Sequence, residues 1–175
     1  MGVQTIMLVA ANFGEKILHL GATKLIITIL LIQLLAILGA YLMSYLAGKL
    51  GNFTVLMLVV IIWIFVCISA YFITSEYQFY ALACVVGLVM GGIQSLSRST
   101  YSKLLPENTP DTASFFSFYD VTEKLAIVIG LFSFGYIEEF TGNMRNSAVS
   151  LTTFFSLGLV FLVLILLQKR KEIAN

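Results

Sequence analysis

Polar positions along this chain are sparse and separated by long apolar stretches, at 25–47, 53–74, 77–97 and 151–167. An α-helix needs roughly 20 mostly apolar residues to cross a ~30 Å hydrocarbon core, and all four stretches meet or approach that length. With the shorter runs around them, the pattern predicts helices at 2–14, 24–48, 53–74, 77–98, 112–137 and 147–168. The connections at 15–23, 49–52 and 75–76 are short, whereas 99–111 is longer, polar and carries Pro106 and Pro110. A connection at 138–146 and a tail at 168–175 complete the chain. No Ser/Gly-rich linker or composition shift marks a second domain. The expectation is one all-α six-helix bundle over 1–175, with no soluble domain.

Composition sharpens this picture. The chain is 59% hydrophobic and 11% charged, whereas soluble globular proteins carry about 25% charged residues. That excludes an ordinary soluble domain and points to a multi-pass helical membrane protein. The net charge of +1 comes with no basic cluster of the kind that binds nucleic acid, so no nucleic-acid partner is expected. Cys67 and Cys84 both lie in apolar runs, without the spacing or partners of a disulfide or a metal site. No metal or cofactor is expected. His19 reads as a solvated loop residue. The start has no basic n-region of a secretory signal and no Ser or Thr at position six for myristoylation. Asn52-Phe-Thr fits a glycosylation acceptor but falls in a tight turn against the membrane.

Lys and Arg set the orientation. With six segments, Lys49, Arg98, Lys103, Lys169, Arg170 and Lys171 share the tail's side, against Lys16, Lys24 and Arg145 on the other. The expected arrangement is a bacterial inner membrane with the C-terminus in the cytoplasm. The first segment is apolar only over 2–11, about 15 Å of helix or half a bilayer. It reads as a chain that begins partway through a helix.

The fifth helix is the anomaly. Its apolar run, 125–137, gives only roughly 20 Å. Glu138 and Glu139 block it on one side, so the span must reach back to about Phe115 and take Asp120, Glu123 and Lys124 into the bilayer. Thr109 as cap and Pro110 in the first turn would start this helix, placing Glu123 and Lys124 near mid-membrane. A central Asp or Lys costs about 2.5 to 3.5 kcal/mol on insertion scales, against a gain of about 0.3 to 0.6 for each Leu, Ile, Phe or Val. The helix therefore needs neighbours or a watered cavity. Asp120 and Lys124 form an acid-first i,i+4 pair, which leaves Glu123 without a local partner. Two readings stay open: an ion-pair lock on the tail side, or a proton or substrate site at Glu123 or Asp120.

Other polar residues fall on the first, second and fourth helices. Thr5 and Asn12 are seven apart on one face, and Gln33 is near the middle of the second helix. Gly87, Gly91, Gln94 and Arg98 form a stripe on the fourth. The glycines read as close helix packing, and Gln94 as either packing glue or cavity lining. The third and sixth helices carry no ionisable residue in their spans. Polar, polar, apolar, repeated, is the order expected of a 3+3 repeat whose third helices face lipid. Trp63 fits a lipid or packing position.

MGVQTIMLVAANFG, SYLAGKLGN, GGIQSLSRSTYSKLLPE and ASFFSFYDVTEKLAIVIG occur here in the order and spacing of one family. They resemble the vacuole-effluxer-like group of the major facilitator superfamily, which includes fungal vacuolar amino-acid effluxers and bacterial members. The resemblance covers essentially the whole chain and maps it onto the family's C-terminal six helices, with the first segment as the second half of the seventh. It implies secondary transport by alternating access. It nominates Gln4, Thr5, Asn12 and Gln94 as cavity-lining residues, with Gln33 and Glu123 as further candidates. The superfamily's loop motif, roughly G-x-L-A-D-x-x-G-R, departs here: the Asp position is Gly48 and the Arg position is Asn52. The corresponding latch of an N-terminal half would approach Asp120.

The expected function is half of a secondary transporter for a small solute, amino acids by family analogy, with proton coupling. Its partners would be the lipid bilayer and either an N-terminal six-helix half or a second copy. The alternative is a non-transporting module associating through its helix faces, the glycine stripe among them. No enzyme is expected: Asp120 is the only Asp inside a span, and no HExxH or serine-base pattern is present.

Overall fold

The computed structural model describes residues 2–105 and 111–174, without the side chains at 2, 4, 7, 8, 11 and 169–174. The helices are α1 (Gly2–Leu18), α2 (Ala22–Leu50), α3 (Asn52–Phe72), α4 (Glu76–Ser102), α5 (Thr112–Thr141) and α6 (Met144–Ala174). Several run past the apolar spans that mark them in the sequence. The apolar pattern reports the thickness of the hydrocarbon, and helix-forming polar residues such as Glu138, Glu139 and the tail keep winding beyond it.

Local chemistry sets the ends. α1 closes with His19 in the left-handed region at φ 52° and the Leu20 N–H donating to the Gly14 carbonyl at 3.2 Å. A single residue, Gly51 at φ 86°, separates α2 from α3, a backbone that suits only glycine. Ser75 and Gln78 form a capping box on α4, where Gln78 Oε1 accepts from the Ser75 N–H at 3.3 Å. α5 begins at Asp111, whose carboxylate accepts from the Ser114 N–H at 3.2 Å and from its hydroxyl at 2.6 Å. The cap expected at Thr109 and Pro110 lies outside the described residues. Gly142, left-handed at φ 62°, ends α5, and Asn143 Oδ1 accepts from the Arg145 N–H at the start of α6.

The helices pack as two interlocked triplets. Exchanging α1, α2, α3 for α4, α5, α6 turns the α2–α4 contact into α1–α5, α3–α4 into α1–α6, and α2–α3 into α5–α6. The α3–α6 and α1–α4 contacts map onto themselves, while the α1–α2 contact has no equally close α4–α5 counterpart. This is the neighbour pattern of a 3+3 repeat, as in major-facilitator-like bundles.

Burial corrects the expectation that the third helix simply faces lipid. One face of α3 is the best-buried surface of the bundle, with Val59 and Trp63 fully enclosed, because α4 and α6 both pack on it. Trp63 stacks on Phe155 of α6, with ring centroids 5.5 Å apart. Only the far face, with Phe65 and Phe72, is open. The broadest uncovered apolar surface belongs instead to α2, where Leu34, Ile37 and Tyr41 point outward.

Candidate functional site

α4 and α5 meet along a polar groove near the tail end of the bundle. Arg98 of α4 pairs with Asp120 of α5, and its guanidinium lies 5.8 Å from the centre of the Tyr119 ring. The Tyr119 hydroxyl and Ser97 Oγ are 2.8 Å apart, and the Tyr101 ring packs on Tyr119 at 5.0 Å. One turn further along α5, the half-buried Glu123 lines a pocket of about 340 Å³ with Gln94, Ser95, Arg98 and Tyr119. Among the described residues, nothing forms an ion pair or hydrogen bond with Glu123.

This geometry revises two expectations for the fifth helix. Asp120 pairs with Arg98 rather than with Lys124, which stays exposed. The guanidinium reaches Asp120 from the facing helix, presents several donors in a planar fork and is more weakly hydrated than an ammonium. Depth changes as well. Glu138, eighteen residues beyond Asp120, pairs with Lys16 of α1 at 2.8 Å. Those eighteen residues rise about 27 Å, close to one hydrocarbon thickness. Asp120 and Glu138 therefore mark the two charged layers, and Glu123 and Lys124 lie about one turn inside the tail-end layer rather than at mid-membrane.

The opposite end carries its own cross-ties. Lys24 of α2 pairs with Glu76 of α4 at 2.6 Å, and Arg145 of α6 donates to the Tyr71 carbonyl of α3 at 2.9 Å. At the tail end, Asn52 Nδ2 donates to Ser99 Oγ at 3.1 Å while Lys103 Nζ donates to Asn52 Oδ1 at 3.0 Å. The position that departs from the superfamily motif thus joins the α2–α3 turn to α4 through neutral hydrogen bonds and one ammonium.

The remaining candidates are dispersed. Thr5 is fully buried, so close to Gly130 of α5 that a Cβ there would come within 2.3 Å of its Oγ1. Asn12, a heptad later, is exposed, as are Gln33 and Gln94. Gln4 is on α1, with its side chain outside the described residues. Gly87 and Gly91 sit in the α2–α4 contact: a Cβ at Gly91 would lie 1.9 Å from the Ala36 carbonyl oxygen, and one at Gly87 2.8 Å from that of Ile32. Gly39 and Gly92 complete this contact and escaped the sequence reading, though Gly39 is an isolated glycine in the interior of a long helix, a recognised packing signal. The glycine stripe is consumed within the bundle and offers no surface for association.

The interior itself is apolar. A cavity of about 70 Å³ at the centre of the six helices is lined by Val9, Phe13, Val66, Phe134 and similar side chains. Hydroxyls such as those of Thr5 and Ser147 are buried, while the charged side chains and amides described lie at the perimeter and the two ends.

Among the described residues, six packed helices, four of them long and apolar enough to cross a membrane, with charged layers at both ends, define a multi-pass helical membrane protein. Within that class, the chain belongs to the vacuole effluxer Atg22-like family, whose model matches residues 1–175. It is 31% identical over 164 residues to an uncharacterized MFS-type transporter, YxiO, of Bacillus subtilis, covering 94% of this chain and 38% of that protein. It is 31% identical over 160 residues to Autophagy-related protein 22 of Cryptococcus neoformans, covering 82% of this chain and 28% of the relative. The Saccharomyces cerevisiae protein of the same name is 30% identical over 156 residues, covering 83% and 29%. The chain thus spans well under half the length of these relatives. No solved structure gives a significant match.

Proposed function

We propose that this bundle is the C-terminal half of a secondary transporter that carries a small solute by alternating access. One observation carries the reading. Asn12, Gln33 and Gln94 are exposed and Glu123 only half-buried, on α1, α2, α4 and α5, the helices other than the α3–α6 pair. Amides and a carboxylate turned outward within a membrane cannot be solvated by lipid, so they require water or a second protein bundle. A cleft shared with a second six-helix bundle supplies both. An MFS-type transporter among the relatives supports the same reading.

In this account Glu123 is the coupling group. It lines a polar pocket and lacks an ion-pair partner among the described residues, so it is available to take up and release a proton as the pocket opens to either side. Asp120, paired with Arg98, ties α4 to α5, and Lys124 is exposed near the tail-side boundary. The solute follows from kinship alone: amino acids, as the family resemblance implies. Excess Lys and Arg at the tail end orient the C-terminus toward the cytoplasm, in a bacterial inner membrane.

The test is uptake and efflux by the protein with its N-terminal half, reconstituted in vesicles with a panel of solutes and an imposed pH gradient. Glu123→Gln is expected to abolish gradient-driven transport while leaving membrane insertion and melting temperature unchanged. Undiminished gradient-driven transport by that variant removes the coupling role.

A further inference from the structure

The largest described pocket adjoins the Glu123 groove at Ser95 but opens on the α2–α3 side of α4, and it has no part in the transport account. It opens at the tail end, where the α2–α3 turn, the last turns of α4 and the end of α6 converge, and measures about 740 Å³. Its polar wall is built from Ser44, Asn52, Ser95, Ser99, Thr100 and Lys103. No carboxylate lines it among the described residues. Lys103 spends one ammonium proton on the neutral Asn52 oxygen, which holds the side chain over the pocket without cancelling its charge. The other wall is apolar, formed by Leu96, Leu104 and Leu166.

A second observation comes from the sequence beyond that wall. Leu166 is followed on the same helix by Lys169, Arg170 and Lys171, three cations within about one and a half turns. Hydroxyls and an ammonium on one side, hydrocarbon on the other and a basic run following Leu166 in sequence match an anionic phospholipid at the membrane boundary. The phosphodiester would accept from Lys103 and the serine hydroxyls, and the glycerol and first acyl carbons would lie against the leucines. We propose that this pocket binds the phosphate group of an anionic phospholipid and so fixes the α2–α3 turn against α4.

The glycines supply a clean test. A Cβ added at Gly48, which lines the pocket, meets nothing within 4 Å. Gly48→Asp therefore brings a negative charge to the site without a clash, and Gly48→Asn is its uncharged match in size. The purified protein in detergent is titrated with phosphatidylglycerol, phosphatidylcholine or inorganic phosphate, and melting temperature and retained lipid by native mass spectrometry are read. Phosphatidylglycerol is expected to raise the melting temperature by several degrees in the wild type and in Gly48→Asn. At least half of that rise should be lost in Gly48→Asp and in Lys103→Gln. A rise with inorganic phosphate alone, lost in the same two variants, supports the phosphate chemistry and assigns it to the free ion. Equal shifts in wild type, Gly48→Asp and Lys103→Gln, equal shifts with phosphatidylcholine, or no shift with any probe overturn the proposal.

Discussion

Gly91 and Gly48 show how differently one residue type is used on two neighbouring helices. At Gly91 a methyl group would overlap the Ala36 carbonyl, a backbone atom that cannot rotate away. At Gly48 it would stand in open space. Gly91→Ala is therefore expected to cost about 1–3 kcal/mol through overpacking. Gly48→Ala should be neutral or gain up to about 1 kcal/mol from helix propensity. Chemical denaturation of the two variants in mild detergent checks the contrast, and equal stability of both would mean that the α2–α4 contact is looser than described. The close packing of Gly87 and Gly91 was legible because small residues at i,i+4 in an apolar helix have few other uses. The partner of Asp120 was not. Arg98 is twenty-two residues away on another helix, and only the folded groove places it nearer than the i+4 lysine.

At the scale of the element, α5 carries the chain's main conflict between composition and location. Its long apolar run is short for a membrane, and its start depends on a cap rather than on burial. Asp111 accepts from the hydroxyl and then the N–H of Ser114, and these bonds hold its carboxyl below the usual carboxylate range. A depressed folded-state pKa means that the cap's contribution is fully present above the ordinary Asp value. It is lost as pH falls through the lower folded value. Amide exchange at Ser114 should therefore be slow at pH 6, relative to its intrinsic rate, and lose protection below about pH 4. Asp111→Ala should remove that protection at both pH values. Persistence of protection in Asp111→Ala would show that something else caps the helix. The existence of all six helices was legible from apolar run lengths, but their ends were not, since polar residues beyond the hydrocarbon continue to wind. The same effect displaced Glu123 in depth: counting from 125–137 places it near the centre, whereas the Lys16–Glu138 tie fixes the register about one turn inside the boundary.

For the whole molecule, the order of polar and apolar helices anticipated a 3+3 arrangement, and all the close helix contacts except α1–α2 follow its exchange. What the order could not convey is that the bundle's centre is apolar and its amides lie on the perimeter, because periodicity distinguishes faces without saying which neighbour covers each. The central claim is that these perimeter residues line water rather than lipid. Membrane-impermeant maleimide labelling of Gln94→Cys in native membranes tests it most directly, in a Cys67→Ala/Cys84→Ala background. The lipid-facing Phe65→Cys and the end-layer Lys49→Cys serve as comparators. Thiols react as thiolates, which form in water and not in hydrocarbon. Gln94→Cys is predicted to label nearly as readily as Lys49→Cys, with Phe65→Cys silent. Gln94→Cys as silent as Phe65→Cys, while Lys49→Cys labels, would contradict the account.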